Sequence, residues 1–197
     1  MQTLAPRIKK LVDQAVTTLK IEEQIDCFIV NQPIGNAYVR GGLTPGGNHF
    51  IAITSDLVWK LTDEELLFVI GHEIGHILFN TNDIGIILGM AYDEESMPSM
   101  ALMHLLATWN KLVEFSCDRM GLIACGDKDT AISALYSTIM GLDSAKTGFV
   151  PADYLENIDE EIVSPEDFAV FRQNSHPPFP LRIKALDLFA NSSTFES

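Results

Sequence analysis

Residues 68–79 read FVIGHEIGHILF. Two histidines, a glutamate and two glycines interrupt an apolar run that otherwise belongs in a protein core. The surroundings make it a helix: Thr62 is a capping residue with Glu65 three positions on, and apolar residues continue to Phe79 before the pattern fades at Asn80. On an α-helix, residues four apart lie one above the other, so His72 and His76 present two imidazoles from one face. That pair can grip a single zinc ion, and Glu73, one step round, can reach a water beside the metal and take its proton. Gly71 and Gly75 each lose about 1 kcal/mol of helix propensity relative to alanine. That loss makes sense where another backbone or a substrate passes close by. The rival reading is a pair of buried histidines satisfied by neighbouring carbonyls.

The chain around this stretch has 197 residues, enough for one domain with a real core, 47% hydrophobic and 20% charged. Its formal net charge of −14 argues against nucleic acid and anionic membrane surfaces, since no basic patch offsets the repulsion. Cys27, Cys117 and Cys125 form no CxxC and no regular spacing, which points to a reducing compartment rather than a disulfide framework. The N-terminus, MQTLAPRIKKLVDQ, lacks the continuous apolar core of a signal peptide. The longest apolar candidate, IGIILGMAY (84–92), is too short for a membrane span of roughly 20 residues. The expectation is a cytoplasmic protein without a spanning helix, organised as a single domain over 1–197.

Apolar spacing from Leu4 to Leu19 predicts an amphipathic helix within 1–24. Strands are expected at CFIV (27–30), AYV (37–39) and HFIAIT (49–54), with an exposed Gly-rich loop at GGLTPGGNH (41–49). Pro98 fits the start of a long helix over roughly 99–124, and a further helix covers about 129–141. SPEDF (164–168) has the pattern of a helix start, with Ser164 as cap and Pro165 in the first turn. HPPFP (176–180) breaks any helix entering it, and LRIKALDLF (181–189) closes the chain as a last helix.

A zinc site needs a third protein ligand, with the fourth position left to water. The long helix carries NKLVEFSCDRMG (110–121), in which Glu114 and Asp118 lie four apart on one face. HExxH followed by ExxxD on a second helix is similar to the gluzincin metallopeptidases. That resemblance makes Glu114 the third ligand and Asp118 the carboxylate that accepts the free N–H of a ligand histidine. NAYVRGG (36–42), FIAITSDLVWKLTDEELLFVIGHEIGH (50–76) and SHPPFPLRIKAL (175–186) resemble, in that order, segments of the HtpX and CAAX prenyl endopeptidase family. The likeness covers roughly 25–190. The membrane members of that family carry spanning helices, so the chain looks more like a minigluzincin-type soluble peptidase core.

The resemblance implies an α+β fold: a mostly helical, zincin-like metallopeptidase domain, with a small sheet beside the HExxH helix and a second helix bearing the glutamate. It also implies one Zn2+ per chain and a peptide or unfolded-protein substrate bound as an added strand. HFIAIT is the expected edge for that strand, through Ile51, Ala52 and Ile53, with Asn36 and Ala37 touching the substrate backbone. His176 is expected near the metal, as a donor to the developing oxyanion or as a resting-state zinc ligand. Arg182 neutralises part of the Glu/Asp cluster, or else anchors the last helix. Self-inhibition by the N-terminal helix or the His176 loop is a further expectation. The alternative function is a zinc-stabilised binding or chaperone-like domain without turnover, and Glu73 speaks for the enzyme because a structural zinc has no use for a base.

Overall fold

The computed structural model describes residues 5–40, 49–81, 84, 99–161 and 176–196. The expected loop at 41–48, the apolar stretch from 85 to 92, Pro98 and the SPEDF segment lie outside them.

Chain order is α1 (Pro6–Thr18), β1 (Asp26–Val30), β2 (Ala37–Arg40), β3 (Phe50–Thr54), α2 (Ser55–Lys60), α3 (Asp63–Leu78), α4 (Met100–Cys125), α5 (Lys128–Met140), α6 (Ser144–Thr147), α7 (Pro151–Glu161), α8 (Phe179–Ala190) and α9 (Ser193–Glu196). The architecture is α+β and mostly helical, as expected. The capping box forms: Glu65 N–H donates to Thr62 Oγ1 at 3.2 Å, and Thr62 N–H to Glu65 Oε2 at 2.9 Å. The other Glu65 oxygen accepts from the Ser144 hydroxyl at 3.1 Å, so the start of α3 is tied to α6. The long helix begins at Met100, with the Ser99 side chain accepting from Leu102 N–H.

α3 runs through the centre of the core. Leu66, Ile70 and Ile74 on it are fully buried, among Ile51 and Ile53 of β3, Leu122 of α4, Ile132 of α5 and Ile183 of α8. α1 packs its buried face, Ile8, Leu11, Val12 and Ala15, into the same core. Arg7 fixes its orientation by donating to the carbonyls of Val58 and Leu61 and pairing with Asp63.

One expectation about the sheet is corrected. The strand order is β1-β3-β2, with β3 parallel to β1 and antiparallel to β2. HFIAIT is therefore the central strand, and Ile51, Ala52 and Ile53 are at most 1% exposed. A substrate strand cannot pair there. The run of buried residues from Ile51 to Thr54 is what a strand covered on both faces and both edges requires. Among the described residues the sheet edges are β1 and β2.

The glycines of the opening stretch mark a close helix crossing. A Cβ on Gly71 would lie 2.6 Å from Ala124 Cβ and 2.9 Å from the Met120 carbonyl oxygen, and one on Gly75 would lie 2.9 Å from Cys117 Cα. From the other side, a Cβ on Gly121 would meet the Phe68 carbonyl oxygen at 2.7 Å. So α4 backbone, and not substrate, is what these glycines admit. In an isolated helix Gly71→Ala would be favourable by about 1 kcal/mol, whereas overpacking costs about 1–3 kcal/mol. The blocking atoms are backbone and a Cβ, which cannot rotate away. Gly71→Ala is thus expected to lower the urea midpoint, by about 2 kcal/mol in stability. A midpoint at or above the native one would mean that the two helices separate cheaply.

Candidate metal centre

The crossing of α3 over α4 brings the two motifs face to face. Nε2 of His72 and Nε2 of His76 are 3.1 Å apart. Glu114 Oε2 is 3.7 Å from the first and Glu114 Oε1 is 3.5 Å from the second. These three residues form the one group among the described residues whose donor atoms converge tightly enough to hold a metal ion. Ligand bonds of about 2.0–2.1 Å at tetrahedral angles set donors about 3.3 Å apart, close to what is seen. Two imidazole nitrogens and a carboxylate are also the donor types zinc takes.

An orphaned atom supports the same fit. Glu114 Oε2 is buried and has no hydrogen-bond partner among the described residues, although Arg182 Nη2 comes within 3.4 Å. A buried carboxylate oxygen left in that state is costly. Formal charge points the same way. Glu73, Glu114 and Asp118 are buried against the single guanidinium of Arg182. When all three are ionised and both histidines are neutral, as metal ligation requires, two negative charges remain, which a divalent cation balances. Without one, burial pushes the Glu73 carboxyl up, with the negative Glu114 adding to it, to about 7. The same imbalance is then relieved by a proton.

His72 is oriented from behind. His72 Nδ1–H donates to Asp118 Oδ1 at 3.0 Å. Arg182 grips the same carboxylate with two bonds, Nε to Oδ2 at 2.8 Å and Nη2 to Oδ1 at 2.6 Å. Burial opposes ionisation of Asp118, but Arg182 and His72 override it and hold the group at about 2. Burial likewise disfavours a charged His72, and the bond to Asp118 outweighs it, raising that histidine. His76 goes the other way. Burial and then the positive charges of His72 and Arg182 lower it to about 3, so it is neutral and has a lone pair to give.

Of the remaining sequence-predicted residues, His176 comes to the rim, with Nε2 3.5 Å from Glu114 Oε1 and a side chain 60% exposed. Pro178 caps α8, Pro180 sits in its first turn, and Arg182 on that helix is buried. Asn36 and Ala37 line a cleft of about 820 Å3 together with His72, Glu73, His76 and His176. Ile51, Ala52 and Ile53 do not reach it. No residue of α1 lines it among the described ones, and the apolar face of that helix is spent on the core. Cys117 packs against Gly75, and burial, with Glu114 and Asp118 nearby, raises its thiol.

Several cleft residues escaped the sequence reading, Tyr38 and Asn110 among them. Leu135, Thr138 and Ile139 of α5, with Phe179 of α8, form an apolar wall, and nothing in their spacing separates them from core positions. Thr81 also lines the cleft. Its signal was its place just past the helix end, next to the residue where the pattern fades.

Comparison with known proteins agrees with this arrangement. The pattern of Peptidase family M48 matches residues 2–92. The chain is 27% identical over 203 residues to the plastoglobule-localized metallopeptidase 48, chloroplastic, of Arabidopsis thaliana, covering 95% of this chain and 58% of that protein. It is 44% identical over 63 residues to protease HtpX homolog 1 of Sulfurisphaera tokodaii, covering 32% of this chain and 20% of that one. The protease HtpX homolog of Pyrobaculum aerophilum is 24% identical over 240 residues, 92% of this chain and 67% of that protein. The chain thus spans between about a fifth and two thirds of these relatives' lengths. No helix among the described residues is long and apolar enough to cross a membrane. With the HExxH helix inside the matched span and the converging donors beside it, the chain is similar to peptidase family M48 over residues 2–92.

Proposed function

We propose that the chain is a zinc-dependent endopeptidase that hydrolyses extended polypeptide. His72, His76 and Glu114 hold the ion. One observation carries the reading: Glu73 is buried, lines the cleft beside the donors, and is not one of them. Bound zinc supplies the positive charge that acidifies a water and polarises the scissile carbonyl.

The chain's own residues do the rest. Glu73 takes the proton of the attacking water and returns it to the departing amine, a task suited to a buried carboxylate in the cleft wall beside the three donors. The exposed imidazole of His176 donates to the carbonyl oxygen as it gains charge. Asn36, Ala37 and Tyr38, at the cleft side of β2, align the substrate backbone in place of the buried β3. The wall of Leu135, Ile139 and Phe179 receives an apolar side chain and excludes water.

The test is digestion of casein or a peptide library by the purified chain. About one zinc per chain is expected, as a mononuclear site requires. Cleavage should vanish on treatment with a zinc chelator and return with added zinc. Full cleavage in a zinc-free preparation would refute the reading, and bound zinc without cleavage of any peptide would favour a zinc-stabilised binding domain.

A further inference from the structure

We infer that Thr81 is a positioning residue for the metal centre: its hydroxyl fixes the tautomer of His76, so that Nε2 faces the other donors as a bare lone pair. The inference rests on the cluster being a metal site.

Asn80 has φ of 51°, a left-handed conformation that asparagine tolerates better than most residues. Just past it, the Thr81 side chain reaches back to His76 on the last helical turn. The closing backbone bonds run from Phe79 N–H to the Gly75 carbonyl and from Asn80 N–H to the Ile77 carbonyl, passing over the carbonyl of His76. Carbonyls in a last turn need partners from outside the helix ladder. Thr81 supplies one, its hydroxyl donating to the His76 carbonyl oxygen at 3.2 Å.

The same Thr81 oxygen lies 3.2 Å from His76 Nδ1. A hydroxyl has one proton, and a carbonyl oxygen can only accept. The proton is therefore committed to the backbone, and toward the ring the oxygen accepts. Nδ1 must be the nitrogen that carries hydrogen. In a neutral imidazole this leaves the lone pair on Nε2, the atom 3.1 Å from His72 Nε2 and 3.5 Å from Glu114 Oε1. The two histidines are thus oriented unequally. His72 leans on a buried carboxylate clamped by arginine, and His76 on a neutral hydroxyl held by a helix end. A hydroxyl orients the ring without adding a further negative charge to a cluster where carboxylates already outnumber cations.

The experiment compares Thr81→Val, which keeps the shape and removes the hydroxyl, with Thr81→Ser, which keeps the hydroxyl. Zinc affinity of the full chain is measured by competition with a chromophoric chelator. The tautomer of His76 is read from imidazole nitrogen shifts in the metal-free protein. The valine variant is expected to bind zinc roughly ten- to a hundredfold more weakly and to populate the Nε2–H tautomer. The serine variant should match the native chain on both counts. Any other pattern overturns the inference: native affinity or an unchanged tautomer in valine, or a serine variant as impaired as valine. A native chain that takes up no zinc would sink the metal reading instead, while the tautomer comparison would still judge Thr81.

Discussion

Glu73→Gln is expected to leave zinc bound at native stoichiometry and to slow peptide hydrolysis by at least roughly a hundredfold. The amide is nearly the same shape as the carboxylate, so the α3–α4 crossing and the three donors should be undisturbed. What it lacks is the ability to take a proton. The native group is 7% exposed and raised by burial, so bulk water gives no easy substitute for it as base. The variant should also be no less stable than the native chain, since it removes a buried charge from a cluster already rich in carboxylates. Zinc content by elemental analysis and rates on a single peptide decide the matter together. Native rates with zinc retained would remove Glu73 from the chemistry.

Much of this site was legible because its information is local. His72, Glu73 and His76 lie on one face of one helix, and helical periodicity alone fixes that. The Thr62–Glu65 capping box is equally local, and it forms as its spacing predicts. Glu114 and Asp118 needed one more inference, that two helices cross, and the glycines at 71 and 75 were the trace of it in the sequence. They admit the backbone of α4, with Gly121 answering from the other side.

What was not legible depends on pairing between distant segments. A strand such as HFIAIT presents the same residues whether its neighbours lie on one side or both. The Gly-rich stretch before it pointed to an edge, whereas its continuous apolar run fits a central strand and is the better guide. Short helices such as α2 and α7 carry too few turns for periodicity to stand out, and α7 gains its place from Ile158 in the core. Thr81 is a different case. A threonine three residues past a helix end is common, and its meaning depends on the left-handed turn at Asn80 and on the carbonyl left over above it.

The arginine that clamps Asp118 should matter as much to folding as Glu73 does to turnover. Asp118 is 1% exposed and Arg182 5%, so neither charge is relieved by solvent. Removing one partner of such a pair costs about 3–5 kcal/mol, because the other charge stays buried and uncompensated. Arg182→Met is therefore expected to lower stability by about that amount, measured by urea unfolding of the metal-free chain so that zinc binding does not mask the loss. Part of the strain will be relieved as Asp118 takes up a proton, since the guanidinium is the chief reason it stays ionised. The double variant Arg182→Met/Asp118→Leu separates two roles. Replacing both charges with apolar groups of similar volume is often neutral, so most of the lost stability should return. Zinc affinity should not return with it. His72 Nδ1–H would have lost its acceptor, and losing such a partner weakens metal binding by roughly ten- to a hundredfold. A double variant that regains both stability and native zinc affinity would show that Asp118 orients nothing. A single variant within about 1 kcal/mol of native would place the pair among ion pairs of surface strength, against its burial.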